Sequence, residues 1–414
     1  MGLFGVLAFL ATKGLARSRV TTVLLLFAVT AGVGLQIPNS ANLRGYTANL
    51  FEEATTRGFG DVRVTDPKDR FIADADAASA DLGALPHVRA ALPIITLAGA
   101  VESSGGKQQV AEVHGLDPAS AFKPYRIREG KDLTRDDEGA LVGSALAVKL
   151  GIKPGDTIRV RVLLPPHADA GLADAYGSSA NVAEYTMTVR GTSAGTFGGY
   201  ASLFVTKDLL ARAMSRPHAA SRILLYLGSQ TGSAGVSTAR HEAPKEAEAL
   251  SAAVTARRPD LHPLTWMAET PYADSAIRAN ETLGVVSHTM VVVAVTIPIA
   301  ALLFVAVESR RREIAMLAAL GFRRREIFAA FILQALVVGV AGAVLGCVVG
   351  WLGVRAFEAH PIFESADFVV RPVVAASTFY EPSLVVLIAT AIAAAVPAYR
   401  ATKVDPSRVL RGLA

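Results

Sequence analysis

The residues able to do covalent or metal chemistry are few and scattered. Of eight histidines, six (His87, His114, His167, His218, His241 and His262) lie in the stretch 38–282, and none falls in an H-E-x-x-H or paired metal-ligand spacing. A G-x-S-x-G elbow is absent, so a serine hydrolase has no local signature. His167 with Asp169 and Asp174 could gather a metal, but a solvated polar loop is the better reading. A phosphate-cradling loop needs G-x-x-x-x-G-K-[ST], because successive amides and the lysine surround the phosphates. The two Gly-Lys pairs, Gly106–Lys107 and Gly130–Lys131, are followed by Gln108 and Asp132, and Val101 and Tyr125 stand where the first glycine belongs. The one cysteine, Cys347, sits in an apolar run, which leaves no intrachain disulfide and no lipobox. The chain is therefore expected to be no enzyme, to hold no metal or cofactor, and to leave any ATP to a partner.

The elements around these residues are those of a membrane protein. Apolar residues make up 51% and charged residues only 19%, against about a quarter charged in soluble domains. The apolar surplus collects at the N-terminus and in the last third. Four stretches suffice for about 30 Å of hydrocarbon: Val20–Ile37, about Leu283–Val307, about Phe328–Val354, and the shortest, about Ser383–Tyr399. Their cores carry no Asp, Glu, Lys or Arg, so no ion or proton path is marked. His288, near the outer end of the second span, reads as solvated or capped, and Gln334 lies in the third. The net charge of +5 reflects arginines beside the spans, Arg310–Arg312 and Arg323–Arg325, which signal topology and anionic lipid rather than nucleic acid. Lys13, Arg17 and Arg19 precede span one, and Arg400, Lys403, Arg408 and Arg411 follow span four. Both termini are thus expected in the cytoplasm and 38–282 outside it. A cleaved signal peptide is the alternative for span one, and Met1–Ala16 has the pattern of an interfacial helix.

The outer stretch reads as α+β. Alternating runs predict strands near Val62, Ile95 and Val113, from Thr157, and from Tyr185. Helices are expected from Gly143 and over Ala243–Arg258, with Pro244 in the first turn. Pro165–Ala183, rich in Pro, Gly, Ala and Ser, predicts a protruding loop. Three domains follow: 1–37 with the first span, 38–282 outside, and 283–414 with the remaining spans and a short cytoplasmic helix over 308–326. Within that helix Ile314, Leu317, Ala318 and Phe322 recur at helical spacing, which suits either docking onto a partner or resting on the bilayer. Gly339, Gly342, Gly346 and Gly350 put small residues on one face of span three, facing another subunit or another helix of this chain.

Three motifs carry a resemblance. ESRRREIAMLAALGFRRREIFAAF resembles the cytoplasmic segment of MacB/FtsX/LolC–LolE-type ABC transporter permeases (the type VII ABC superfamily), matching at Glu308, Arg310, Arg311, Glu313, Ile314, Leu317, Ala319, Gly321 and Ile327, with Phe322 departing from the usual small residue. PAYRATKVDPSRVLRG resembles the family's ending, and GALVGSALAVKLGIKPGDTIRV its periplasmic core. The resemblance implies four transmembrane helices, a large α+β MacB-like domain between helices 1 and 2, and a place in the bacterial inner membrane. It implies that Glu308, Arg310, Arg311, Glu313, Ile314, Leu317, Gly321 and Ile327 couple to a separate cytoplasmic ABC ATPase dimer, in the LolC/LolE-like arrangement without a fused ATPase. It further implies a second permease copy or paralogue, and mechanotransmission to a periplasmic substrate, for which lipoprotein release from the inner membrane is the nearest analogue. In LolC-like subunits a loop at this place recruits a periplasmic lipoprotein carrier, which would assign docking to Pro165, Pro166, His167, Leu172 and Tyr176; a variable surface insertion is the alternative. An FtsX-like regulator of a cell-wall hydrolase, and a membrane-anchored sensor without ATPase, are the competing functions.

Overall fold

The computed structural model describes residues 19–68, 70–135, 138–165, 181–195, 202–227, 236–309, 311–320, 322–362 and 369–403. The chain divides into two compact units, one of 1–46, 279–362 and 371–414, the other of 47–278 and 363–370.

Among the described residues four helices are long and apolar enough to cross a membrane: α1 (Arg19–Ala54), α7 (Pro271–Ser309), α9 (Arg324–Ala359) and α10 (Ala376–Ala401). Each outruns its apolar stretch. The largest departure is α1, expected to end at Ile37, which continues through Pro38 to Ala54. Three polar side chains at and beyond the end of the apolar stretch find partners on other helices. Gln36 Nε2 lies 2.6 Å from His288 Nδ1, Asn39 donates to Ser287 Oγ at 2.8 Å, and Arg44 donates to Glu381 at 2.7 Å. Hydropathy sees only the apolar segment, whereas these bonds hold the helix beyond it. His288 is thus bound to α1 rather than merely solvated.

The first unit's core is aliphatic, with Val29, Val33 and Ile37 of α1, Ile299 and Leu303 of α7, Val338 of α9 and Val386 of α10. Within it α1 packs tightly on α9. A Cβ added at Gly342, Gly346 or Gly350 would stand 2.7, 2.6 and 2.7 Å from Val29, Val33 and Ile37 respectively. Both series step by four residues, so the bulky stripe of one helix fills the bare stripe of the other. Thr30 Oγ1 donates to the Gly342 carbonyl at 3.3 Å across this seam. The glycine face therefore meets a helix of the same chain.

The second unit holds a sheet with helices and a closed barrel, joined through one strand. Strands β10 (His262–Thr265), β1 (Val62–Thr65), β9 (Arg222–Leu227) and the first half of β2 (Val88–Ser103) form an antiparallel sheet in that order. Helices α2 (Ala75–Gly83) and α5 (Val236–Arg257) pack on it through Ala78, Leu82, Ala247, Leu250 and Val254. The second half of β2 enters a ring of six strands among the described residues, β2–β3–β8–β5–β7–β6 and back to β2. Its members are β3 (Gln108–Leu116), β5 (Ala140–Gly143), β6 (Thr157–Leu164), β7 (Asn181–Ala194) and β8 (Ser202–Thr206), and β4 (Arg126–Gly130) adds to β7. Alternate residues such as Leu97, Val113, Val142, Val160 and Val189 fill the interior. Helices α3 (Ser144–Leu150) and α4 (Lys207–Ala213) add Leu146, Leu150, Leu209 and Leu210. Where β2 changes partners, Ser221 bridges the ladder: its hydroxyl donates to the Ile94 carbonyl at 2.9 Å and accepts the Thr96 N–H at 2.8 Å.

Two local expectations are corrected. The helix expected from Ala243 starts at Val236, so Pro244 lies inside it. The proline costs a helix interior about 3 kcal/mol, which the flanking Ala, Arg and Glu, all favourable to helix, offset only in part. Asn181–Ala183, assigned to the loop, belong to β7 and pair with Leu164, Leu163 and Val162; the pairing across the hairpin, invisible to composition, extends the strand.

Gly346→Val should destabilise the detergent-solubilised chain by about 1–3 kcal/mol, the usual cost of overpacking. Adding Val33→Ala should recover most of it in a thermal melt followed by size-exclusion. An unchanged melting point for the single variant would contradict the interlock.

Candidate functional site

The segment between the second and third spans carries the expected coupling residues. Glu308 ends on α7, where it is exposed, and Arg311, Glu313, Ile314 and Leu317 fall on α8 (Arg311–Ala319). Arg310 and Gly321 lie outside the described residues, as do the side chains of Arg311, Glu313 and Leu317. Ile327 begins α9. Ile314 and Ile327 are 3% and 5% exposed and form a small core with Val307, against which Phe322 and Phe331 pack. Ile314 and Phe322 therefore face inward and fix α8 to the ends of α7 and α9.

The surface open to a partner is a different set. Arg312, Met316, Ala319 and Leu320 are exposed, Met316 at 49% and Leu320 at 76%. Steps of four and three or four residues place them on one helical face. The apolar spacing of the sequence did not separate this face from the buried one, since both hold aliphatic residues; only the positions of Val307 and Phe331 decide. Arg323, Arg324 and Arg325 are exposed beside it. Glu326 orders the start of α9 by accepting the Arg323 N–H at 2.8 Å. Arg400 lies over the Phe304 ring at 5.2 Å, a cation–π contact that joins α10 to α7.

Of the expected docking loop, Pro165 is buried at the end of β6; Pro166, His167, Leu172 and Tyr176 lie outside the described residues. No group of three or more metal-ligating side chains occurs among the described residues.

Two buried titratable groups of the second unit escaped sequence reasoning. His114 bonds through Nδ1 to Thr96 Oγ1 and through Nε2 to Ser202 Oγ, both at 3.0 Å. Burial, assisted by Arg222, pushes its pKa down to about 3, so it is a neutral structural link rather than a base. Asp61 is 4% exposed and follows Gly60, whose φ of 75° and contact with the Leu225 carbonyl leave no room for a Cβ. It ties three segments: its N–H donates to Leu225 O at 2.8 Å, its carbonyl accepts from Trp266 N–H at 3.1 Å, and its carboxyl accepts from Leu227 N–H at 2.7 Å. Burial raises its pKa to about 7; the Leu227 bond opposes this and Glu246 adds to it.

Comparison with known proteins assigns both units. The family model for the FtsX-like permease C-terminal region matches residues 285–406, and that for the MacB-like periplasmic core domain matches 19–254. The chain belongs to the MacB/FtsX-type ABC transporter permeases, a family of non-catalytic permease subunits. It is a multi-pass membrane protein whose α+β domain, outside the cytoplasm, follows the first membrane helix. Among solved structures it is similar to the periplasmic region of MacB from Actinobacillus actinomycetemcomitans, at 11% identity over 51% of this chain and 92% of that one, with a TM-score of 0.32. It is also similar to the extracellular domain of the ABC-type transporter YknZ from Gram-positive bacteria, at 10% identity over 49% and 99% of the two chains, TM-score 0.31. A domain of a putative permease protein from Porphyromonas gingivalis matches at 14% identity over 49% and 86%, TM-score 0.28. No curated protein sequence matches the chain.

Asp61 has a measurable consequence. Burial lifts its folded pKa from the ordinary carboxylate value of 3.8 to about 7, so the stability it contributes is full below about pH 4 and lost as pH rises through about 7. The loss should be on the order of 4 kcal/mol, since each tenfold change in proton affinity is worth about 1.4 kcal/mol. Urea melts read by Trp266 fluorescence in a Trp351→Phe background should show this slope, and Asp61→Asn should flatten it. An equal slope in both proteins would count against the assignment.

Proposed function

We propose that the chain is the permease subunit of an ABC machine that moves its outer domain by mechanotransmission, driven by a separate cytoplasmic ATPase. The observation that carries this reading is the core of the membrane unit. Valines and isoleucines fill the glycine stripe of α9, and the buried polar side chains of this unit among the described residues, Gln36, Ser40, Asn280, Gln334, Thr378 and Thr390, are all uncharged. Such a bundle marks no path of charged groups for a substrate, whereas closely packed helices pass on rigid-body motion. Both termini and the α8 segment then face the cytoplasm, in a bacterial inner membrane, with the second unit in the periplasm. The second permease copy or paralogue packs on lipid-facing apolar residues, since the glycine face is used within this chain. Release of a lipoprotein, in the LolC/LolE manner, is the task that fits a machine acting outside the bilayer.

The ATPase docks on the exposed face of α8. Ile314 and Ile327 then act indirectly by seating that helix on α7 and α9, while Met316 and Leu320 enter the partner's groove and the neighbouring arginines meet acidic groups at its rim. Because Met316 and Leu320 bury little here, Met316→Glu with Leu320→Glu should leave the melting point of the solubilised chain within about 1 °C, a surface effect. The same pair should reduce co-purification of a P-loop ATPase from native membranes at least about tenfold, the consequence of losing about 1.4 kcal/mol or more. Undiminished ATPase in the double variant, or none with the wild type, would overturn the docking assignment.

A further inference from the structure

Two adjoining cavities of about 590 and 540 Å³ open on the second unit and share Arg135, Thr206, Asp208 and Pro217 in their walls. Together they form a groove on the seam between the helix-backed sheet and the barrel. One wall is Asp76 of α2 with Ala91–Pro93 of β2, and the other is α4 from Lys207 to Arg212. Each cavity falls within the size range of ligand sites.

The chemistry of the groove is charged, balanced and already organised. Lys207, only 7% exposed, reaches across the seam to Asp76, whose second oxygen lies 3.0 Å from His218 Nδ1. Arg135 holds Asp117 through two bonds of 3.2 and 2.9 Å. Asp208, exposed in the first turn of α4, and Arg212 complete the pattern. Among the described lining residues three are basic (Arg135, Lys207, Arg212) and four acidic (Asp76, Asp117, Glu138, Asp208). An acyl chain laid here would cover charges without satisfying them. A phosphate would meet more carboxylates than cations. A polypeptide strand brings amide donors and acceptors together with side chains of both signs, which this wall can satisfy along its length. The apolar contacts offered by Leu92, Pro93, Pro118 and Leu209 suit the same ligand.

We propose that the groove between α2 and α4 is a binding site for an extended polypeptide segment of mixed charge. It deepens the function given above, resting on that reading only in taking the outer domain as the part that meets the substrate. A bound segment would touch both the sheet and the barrel, which share strand β2 and a buried cluster beneath the seam.

The test uses the full chain in nanodiscs and a phage-displayed random dodecapeptide library. Enriched peptides, made with a fluorescein label, are titrated by anisotropy against wild type, Asp208→Arg, Arg135→Glu and the control Lys153→Glu, a charge reversal outside the groove. The proposal expects enrichment, at least tenfold weaker binding in both groove variants, and none of that loss in the control. Circular dichroism and size-exclusion confirm that each variant is folded. No enrichment, equal binding by wild type and groove variants, or displacement of the peptides by millimolar inorganic phosphate or phosphatidylglycerol vesicles would overturn it. Because the assay needs no ATPase, its failure would leave the coupling function standing, and failure of the ATPase pull-down would leave this result standing.

Discussion

The membrane unit depends on the contact of β-branched side chains with bare backbone. In hydrocarbon, helices gain nothing by hiding apolar surface from one another, so association must come from closeness of packing and from polar bonds. Val29, Val33 and Ile37 supply shape, Gly342, Gly346 and Gly350 supply room, and Thr30 supplies the bond. The β-branched residues are stiff at χ1 and lose little side-chain freedom when they are locked. At the outer end the same helix changes its means. Gln36, Asn39 and Arg44 bond to α7 and α10 at and beyond the end of its apolar stretch. Two kinds of interaction, each suited to its depth, therefore hold one helix in register.

In the outer domain the comparable constraint is β2. Its first half pairs with β9 and its second with β3 and β6, so one strand belongs to two cores. A change of partner would leave backbone groups unpaired in a buried place, and Ser221 takes up that gap from both sides. The Lys207–Asp76 pair crosses the same seam. Sheet and barrel thus share a spine, and a further buried cluster that joins Leu224 and Tyr226 of β9 to Leu116, Leu141 and Phe204 of the barrel packs them against each other.

Much of this was legible in the sequence where the physics is one-dimensional. Long apolar runs must be helices in lipid, because no other open structure satisfies its own backbone there, and arginine clusters mark their ends. Strongly alternating strands such as Thr157–Leu164 were legible for the same reason. The buried strands Ser202–Thr206 and Arg222–Leu227 were missed: SLFVT and RILLYL lack alternation because both faces are covered. His262–Thr265 is too short to carry a pattern. Within the coupling segment, the sequence showed an amphipathic helix but not which aliphatic residues face inward; Ile314 and Met316 differ only by what α7 and α9 place beside them. The groove draws its charges from four stretches distant in sequence, so no local spacing could announce it.

The closed ring of strands has a consequence for life at a crowded surface. A sheet with long free edges invites neighbouring chains to add strands, and a domain that is repeatedly displaced exposes such edges more often. Here, among the described residues, the ring consumes its own edges, and the outermost strands left over, β4 and β10, are five and four residues long. Two copies standing side by side would find little backbone with which to stitch together. Any contact made there with a neighbouring chain would then rest on side chains rather than on added strands.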